Sequence, residues 1–454
     1  MPPFVCLYGI KMNLSKNGIF YGDNLIWMKK IPDDFVDLIY LDPPFNSKKP
    51  YNIIYDSSKS KAQVRAFEDT WRWSTETQKT YDQLLTEDTT SQLLKTIKSF
   101  HNIFGNNNIM AYLVMMTPRL IEMRRILKKT GSIYLHCDPT SSHYLKIIMD
   151  ALFRIENFQN EIIWHYGLGG SSPRRYQKKH DVIFFYSKSD DYTFKPIMVP
   201  ATSNKMKGQL KKLDDVWDIP TINNMAKERT GYPTQKPEDL LERIIKASCP
   251  PDGIFLDPFC GCGTALIVAE KLKRKWIGID ITYLAIDVLR NRLEKLLNNI
   301  EDINFVEEGA PEGMAGVEHM AKHDKKGFEK FIIRKIGGVP NEKLDEGIDG
   351  YLFFKDGNND KIAIIQETVN KAVSPNKVRD FRGTMNREEA AMGIFITMYE
   401  PTRGMTKEAN GMGVYKDSFG NEYPKMQFIT VRSIIDEGKK PDIPQIKPHG
   451  DKSK

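Results

Sequence analysis

Between Ile254 and Asp280 the sequence alternates apolar runs with a glycine-bearing turn in an order that restricts the fold more than any other stretch. Ile254-Phe255-Leu256 reads as a short strand and Asp257-Pro258-Phe259-Cys260-Gly261-Cys262-Gly263-Thr264 as a loop. Ala265 to Lys273 reads as a helix, and Trp276-Ile277-Gly278-Ile279 as a second strand ending at Asp280. That is a βαβ unit, which commits this part of the chain to an α/β domain with a mainly parallel sheet. Gly261 and Gly263 allow a tight turn and close backbone approach to a ligand, and Asp280 is placed to accept hydrogen bonds from a ribose diol. The third glycine of the dinucleotide fingerprint is absent and Thr264 follows instead, so a nucleoside without a pyrophosphate fits better than NAD. No G-x-x-x-x-G-K-[ST] phosphate loop occurs, and NTP hydrolysis has no support.

A second strand edge appears earlier. Phe35 to Leu41 is an apolar, partly β-branched run that stops abruptly at Asp42-Pro43-Pro44-Phe45. Such a run predicts a buried parallel strand, with the motif at its carboxyl edge, where open α/β sheets bind ligands. An exocyclic amine on a base is a poor nucleophile because its lone pair is delocalised into the ring. Asp42 and the carbonyl of Pro43 would accept its two N–H hydrogens, proline fixes that carbonyl's direction, and Phe45 offers a face for an extruded base.

The rest of the chain is ordered around these two edges. Helices are expected over Ala111–Lys128, Ser142–Leu152, Pro237–Ala247 and Tyr283–Leu297, and strands over Ser132–His136, near Glu161–Trp164 and over Asp181–Tyr186. Residues 46–110 suit a loop and helices over a site, and 165–225 look like an inserted, basic, loop-rich module. The polar stretch 301–324 reads as a linker, 325–436 as a separate α+β unit and 437–454 as a tail. A length of 454 residues agrees with two or three compact units. The net charge of +7 leans weakly toward polyanionic partners. Five cysteines, with Cys260 and Cys262 lacking a second Cys/His pair, read as reduced structural thiols. No membrane span or leader is apparent, and a cytoplasmic location is expected.

Together, Asp42-Pro43-Pro44-Phe45 and Phe259-x-Gly261-x-Gly263-Thr264 resemble the amino-methyltransferases of bacterial and archaeal restriction-modification systems. The catalytic motif precedes the cofactor motif, a circularly permuted order that looks like the beta group. Tyr232-Pro233-Thr234-Gln235-Lys236-Pro237 is similar to that group's H-P-T-Q-K-P element, which helps hold the cofactor's methionine end. Gly22-Asp23-Asn24 resembles the element that contacts the cofactor's adenine. The resemblance implies a Rossmann-like methyltransferase domain over 17–300, using S-adenosylmethionine and acting on double-stranded DNA. It places catalysis at Asp42, Pro43, Pro44 and Phe45. Cofactor binding falls to Asp23, Thr234, Gln235, Lys236, Pro237, Asp257, Phe259, Gly261, Gly263, Thr264 and Asp280. A target-recognition insert falls at about 160–225. Asp42 where cytosine-N4 enzymes usually carry Ser favours adenine N6, with cytosine N4 as the alternative. Cytosine C5 chemistry needs a Cys nucleophile, and the Pro-Cys motif that would carry it is absent. A homodimer and a cognate restriction endonuclease stay open as partners.

Residues 326–436 resemble, less closely, the Mrr-like restriction-endonuclease fold, through Glu329, Gly347-Ile348-Asp349-Gly350 and the strand from Ile362 to Gln366. In an active nuclease of that fold Asp349 and Gln366 would hold a Mg2+ ion, making the chain a bifunctional restriction enzyme. The lysine expected two residues after Gln366 is Thr368, which favours a degenerate module. Glu367 and Lys371 are the groups that could compensate, though strand alternation places Glu367 on the face opposite Gln366.

Overall fold

A computed structural model describes residues 12–44, 50–57, 60–68, 71–86, 91–167, 173–174, 176–201, 208–223, 226, 228–230, 232, 234–297, 305–341, 347–357, 359–369 and 374–444. Phe45, Pro233 and Lys371 lie outside these residues. The chain divides into two compact units, the first made of 1–52, 65–296 and 303–308 and the second of 53–64, 297–302 and the chain from 309.

Up to residue 308 the strands and helices, all of the first unit save most of the β3–β4 pair, run in chain order β1 (Asn17–Tyr21), α1 (Asn24–Met28), β2 (Val36–Leu41), β3 (Pro50–Ser57), β4 (Ser60–Glu68), α2 (Thr75–Thr86), α3 (Ser91–Phe104) and α4 (Asn108–Ile126). They continue as β5 (Leu127–Cys137), α5 (Ser142–Phe153), β6 (Phe158–His165), β7 (His180–Ser187), β8 (Met198–Pro200), β9 (Leu210–Lys212) and β10 (Val216–Asp218). The unit closes with α6 (Glu238–Ser248), β11 (Ile254–Asp257), α7 (Thr264–Lys271), β12 (Lys275–Asp280), α8 (Tyr283–Leu297) and β13 (Phe305–Glu308). Nine of the strands form one sheet in the order β10-β6-β7-β5-β2-β11-β12-β1-β13. Every neighbouring pair is parallel except the two that β7 makes, so β7 alone runs against the rest.

Alternation along the strands separates two cores. Ile39, Leu41, Ile133, Leu135, Leu256 and Ile279 pack toward α3, α4 and α5, whereas Leu38, Tyr40, Tyr134, Phe255 and Trp276 pack toward α6, α7 and α8. Burial on both faces is what lets β2 be continuous and apolar, as Val36 to Leu41 is. Parallel alignment then carries the ends of β1, β2, β11 and β12 to one edge of the sheet.

Three expectations change. The stretch read as a linker holds β13, which pairs in register with β1 (Asn17 beside Phe305, Phe20 beside Glu308). Its four residues are half-buried at the sheet's edge, so their apolar signal is weak; Arg290 of α8 reaches Glu307 to hold the strand there. Gly313–His323 of that stretch form a helix of the second unit. The segment read as a basic insert begins and ends inside the main sheet, through β6, β7 and β10, and β8 and β9 form a small hairpin of their own. The strand pair β3 and β4 lies where a loop and helices were expected.

The second unit contains α9 (Gly313–His323), α10 (Lys325–Lys335), β14 (Val339–Pro340), β15 (Gly350–Asp356), β16 (Asn359–Thr368), α11 (Pro375–Arg387) and β17 (Met392–Thr397). It ends with α12 (Arg403–Asn410), β18 (Val414–Lys416), β19 (Glu422–Pro424), β20 (Met426–Thr430) and α13 (Val431–Asp436). A mixed sheet, β14-β15-β16-β17-β20, packs Ile364 and Phe395 against Val378, Phe381 and Met385 of α11. No helix among the described residues is long and apolar enough to cross a membrane.

Candidate active site

The carboxyl ends of the parallel strands enclose a cavity of about 290 Å³. Asp42, Pro43 and Pro44 line it from β2, Asp257 and Phe259 from β11, Asp280 from β12, and Asp23 from the turn after β1. Gly261, Thr264, Thr234, Gln235 and Lys236 complete the sequence-derived residues on its wall. Pro237, at the N-cap of α6, and Gly263, at that of α7, are not among the residues that line it.

The glycine loop owes its path to two left-handed residues, Gly261 (φ 49°) and Gly263 (φ 73°). A side chain at Gly263 is excluded twice over, because its Cβ would lie 2.2 Å from Leu289 Cδ1. The Gly261 N–H donates to Asp280 Oδ2 at 2.9 Å, while Thr282 gives its N–H and hydroxyl to Oδ1, each at 2.8 Å. Asp280 is thereby fixed at the rim, next to the bend of the loop. Asp257 is buried, and its carboxyl is pushed well above the usual range by burial and by the charges of Asp42 and Asp280, against a hydrogen bond from the Phe259 N–H. Thr264 accepts from Arg292 Nη1 at 3.0 Å.

Asp23 caps α1 through the Leu25 N–H and receives Arg119 Nη2 on both carboxylate oxygens, at 2.8 and 2.9 Å. Arg119 Nε also holds Asn24, whose amide donates to the Pro258 carbonyl at 2.7 Å. One buried arginine of α4 therefore ties the turn after β1 to the glycine loop. Its only sequence signal is a charge inside a helix that otherwise buries Met116, Leu120 and Met123. Gln235 builds its own loop, accepting from Thr230 and donating to the Glu228 carbonyl.

At the deep end, Lys236 Nζ pairs with Asp42 Oδ2. Asp42 Oδ1 is buried without a hydrogen-bond partner among the described residues. Behind it, Tyr40 Oη bonds His136 Nδ1 at 2.9 Å, and His136 Nε2 lies 3.3 Å from Asp181 Oδ2. Tyr40, His136 and Asp181 carry no local motif, since they come from three strands and meet only through sheet order.

The comparisons fall on this same stretch. Residues 36–290 match the DNA methylase family. The chain belongs to that family. Among related DNA methyltransferases, the type II methyltransferase M.HpaI of Haemophilus parainfluenzae is 33% identical over 46% of this chain and 67% of its own length. The DNA adenine methyltransferase YhdJ of Escherichia coli (strain K12) is 29% identical over 61% of this chain and 82% of its own. A solved PvuII DNA methyltransferase (cytosine-N4-specific) aligns over 65% of this chain and 99% of its own, at 15% identity and a TM-score of 0.41. This DNA methylase uses S-adenosylmethionine. The cavity's chemistry fits that donor: a carboxylate rim for a ribose, bends without side chains for close backbone approach, and acidic groups toward a sulfonium cation.

Residues 317–436 match a family described as NACHT-associated inactive Restriction Endonuclease 1. There the Asp349 carboxylate accepts the Glu367 N–H at 2.7 Å. Gln366 Oε1 is buried with no hydrogen-bond partner among the described residues. The acid coupled to Asp349 and Glu329 is thus Glu367, whose carboxyl is pushed up to about 8 by burial and by those two charges. No group of three or more His, Cys, Asp or Glu side chains that could hold a metal ion occurs among the described residues.

A stability consequence follows for Glu367. Unfolded, it titrates near 4.5; folded, near 8, so between those values the folded state holds the extra proton. Stability of the second unit therefore falls as pH rises from 4.5 to about 8. Glu367→Gln should stabilise this unit at and above pH 8 by up to about 5 kcal/mol and leave it unchanged near pH 4.5. Equal melting temperatures of variant and parent at both pH values would show that Glu367 is an ordinary acid.

Proposed function

We propose that this DNA methylase transfers a methyl group to the N6 amine of adenine at a specific site in double-stranded DNA, as a beta-group enzyme. The observation that carries the reading is the buried, unpartnered Oδ1 of Asp42 in the cavity wall, with Lys236 on the other oxygen. An acceptor so placed can take a hydrogen bond from a donor that enters the cavity. The target base would leave the duplex and enter the cleft, where Asp42 and the Pro43 carbonyl receive its two N–H hydrogens. Phe45, next in the motif, is assigned the stacking face.

S-adenosylmethionine supplies a methyl group activated on a positively charged sulfur. The chain's own part is positioning and electrostatics. Asp280 would hold the ribose hydroxyls, Gly261 and Gly263 admit the nucleoside against the backbone, and Thr234 and Lys236 bound the methionine end. Arg119 keeps Asp23 and Asn24 in place for the cofactor's base. Adenine is supported by Asp42 where Ser would favour cytosine, and by the similarity to an adenine methyltransferase. Residues of the 160–225 stretch that project from the sheet are assigned to target recognition, with lysines and arginines contacting phosphates. The second unit is read as a non-cleaving accessory module, from Thr368 at the lysine position and from its match to an inactive nuclease family.

Single-molecule sequencing of DNA from a host without its own methyltransferases, expressing this chain, tests the assignment. N6-methyladenine in one sequence motif is expected. N4-methylcytosine would overturn the choice of base, and unmodified DNA the function.

A further inference from the structure

We propose that Arg292 is a positioning residue for the cofactor, which fixes the Thr264 hydroxyl as a hydrogen-bond donor to the carboxylate of the methionine tail. The proposal rests on the reading of this cavity as the cofactor site, with Thr264 among its residues.

Arg292 belongs to α8 and does not itself line the cavity. Its Nη1 donates to the Cys262 carbonyl at 2.8 Å and to Thr264 Oγ1 at 3.0 Å. Its Nη2 lies 3.5 Å from Oε1 of Glu238, the first residue of α6. Glu238 directly follows Pro237, and Thr234, Gln235 and Lys236 just before it are on the cavity wall. One guanidinium thus links the glycine loop to the helix that carries the opposite wall. The Arg292 and Glu238 side chains are 11% and 23% exposed, so little water competes for these bonds. An arginine that merely kept α8 soluble would leave its donors to solvent.

These bonds set the polarity of Thr264. A guanidinium only donates, whereas a hydroxyl has one hydrogen to give and two lone pairs to receive. With Nη1 on one lone pair, the Thr264 hydrogen turns elsewhere. Cys262 Sγ lies 3.7 Å from Oγ1, and sulfur is a weak acceptor that a carboxylate entering the cavity outcompetes. Thr264 lines the cavity and opens α7, where the Ile267 N–H is the first to bond back, to the Gly263 carbonyl at 2.9 Å. The N–H groups before it point out of the helix, and that end favours an anion.

The other candidates on the wall are committed. Arg119 and Lys236, the two cations among its described residues, face Asp23 and Asp42. Thr282 gives its hydroxyl hydrogen to Asp280. The acids of the wall suit a ribose and a sulfonium, and repel a carboxylate. Without Arg292 the Cys262 carbonyl loses this donor, and the Thr264 hydroxyl is free to rotate.

The test is calorimetric titration of the full chain with S-adenosylmethionine and with decarboxylated S-adenosylmethionine, which lacks only the carboxylate. Arg292→Met should lose about 10- to 100-fold in affinity for S-adenosylmethionine, the size of a charge-assisted hydrogen bond. Its affinity for the decarboxylated form should stay within about threefold of the parent's. Thr264→Val should show the same selective loss. The double variant should lose no more than the larger single loss, because one interaction is removed twice. Equal losses for both ligands would reduce Arg292 to a structural residue and overturn the proposal. Parental affinities in Arg292→Met, or additive losses in the double variant, would overturn it as well. Should Arg292→Met not fold, Arg292→Gln decides by the same comparison, and an unchanged preference for the carboxylated ligand refutes the idea. Binding of neither ligand by the unaltered chain would refute the cofactor site, and the proposal with it.

Discussion

Asp42→Asn should lose at least about 10²–10³-fold in single-turnover methyl transfer, with the affinity for S-adenosylmethionine within a factor of about two of the parent. The isostere matters more than alanine here. Lys236 pairs with Asp42 at 11% and 16% side-chain exposure, so Asp42→Ala leaves a buried ammonium unpaired and confounds chemistry with stability. Asparagine keeps the volume and gives Lys236 an oxygen, but its remaining group is an N–H donor. Facing an amine, that group repels the hydrogens the carboxylate would have received. The cofactor wall is built from other strand ends, through Asp280, Gly261 and Asp23, which is why binding should be spared. Rapid-quench transfer assays and calorimetric titration of the cofactor measure the two quantities separately. A variant within threefold of the parent rate would remove Asp42 from the chemistry.

What the sequence shows of this site depends on how local the cause is. The strand before Asp42 is legible because burial on both faces makes it continuously apolar, and the glycine loop because its bends tolerate no side chain. Both motifs carry their own boundaries, and parallel pairing then brings the ends together. Arg119, His136 and Asp181 are invisible for the opposite reason. None sits in a local motif, and each partner is 95, 96 or 45 residues away along the chain. Gln235 shows a third case. Its place in a cofactor motif is read correctly as lying on the cavity wall, yet its hydrogen bonds serve the loop that presents Thr234 and Lys236. β13 was missed because an edge strand of four half-buried residues needs only Phe305 and Val306 to be apolar, too short a pattern to stand out from polar neighbours.

That edge strand makes the other large prediction: Glu307→Ala should destabilise the methyltransferase unit by about 3 kcal/mol, the lower end for removing one partner of a buried ion pair. Arg290 Nε donates to Glu307 Oε2 at 2.8 Å, and its Nη2 meets both carboxylate oxygens. The two side chains are 16% and 19% exposed, so water replaces little of what is lost. Arg290 also donates to Tyr283 Oη at 3.2 Å, and its guanidinium lies 5.8 Å from that ring. Burial alone would lower its affinity for the proton, but the Tyr283 and Glu307 groups raise it, so the charge persists when Glu307 is gone. The variant therefore keeps a largely buried cation, left with Tyr283 and with Asp287 at 3.8 Å, beside an edge strand that has lost its side-chain anchor and retains its pairing with β1. Arg290→Met combined with Glu307→Leu should recover most of the loss, since it removes both charges and keeps the volume. Urea unfolding followed by tryptophan fluorescence reads this directly, because Trp276 on β12 is 5.9 Å from Phe305 and reports on the same edge. A flexible connection at 301–324 would instead tolerate Glu307→Ala to within about 0.5 kcal/mol, as exposed positions do. The size of this one change thus separates a ninth strand from a tether.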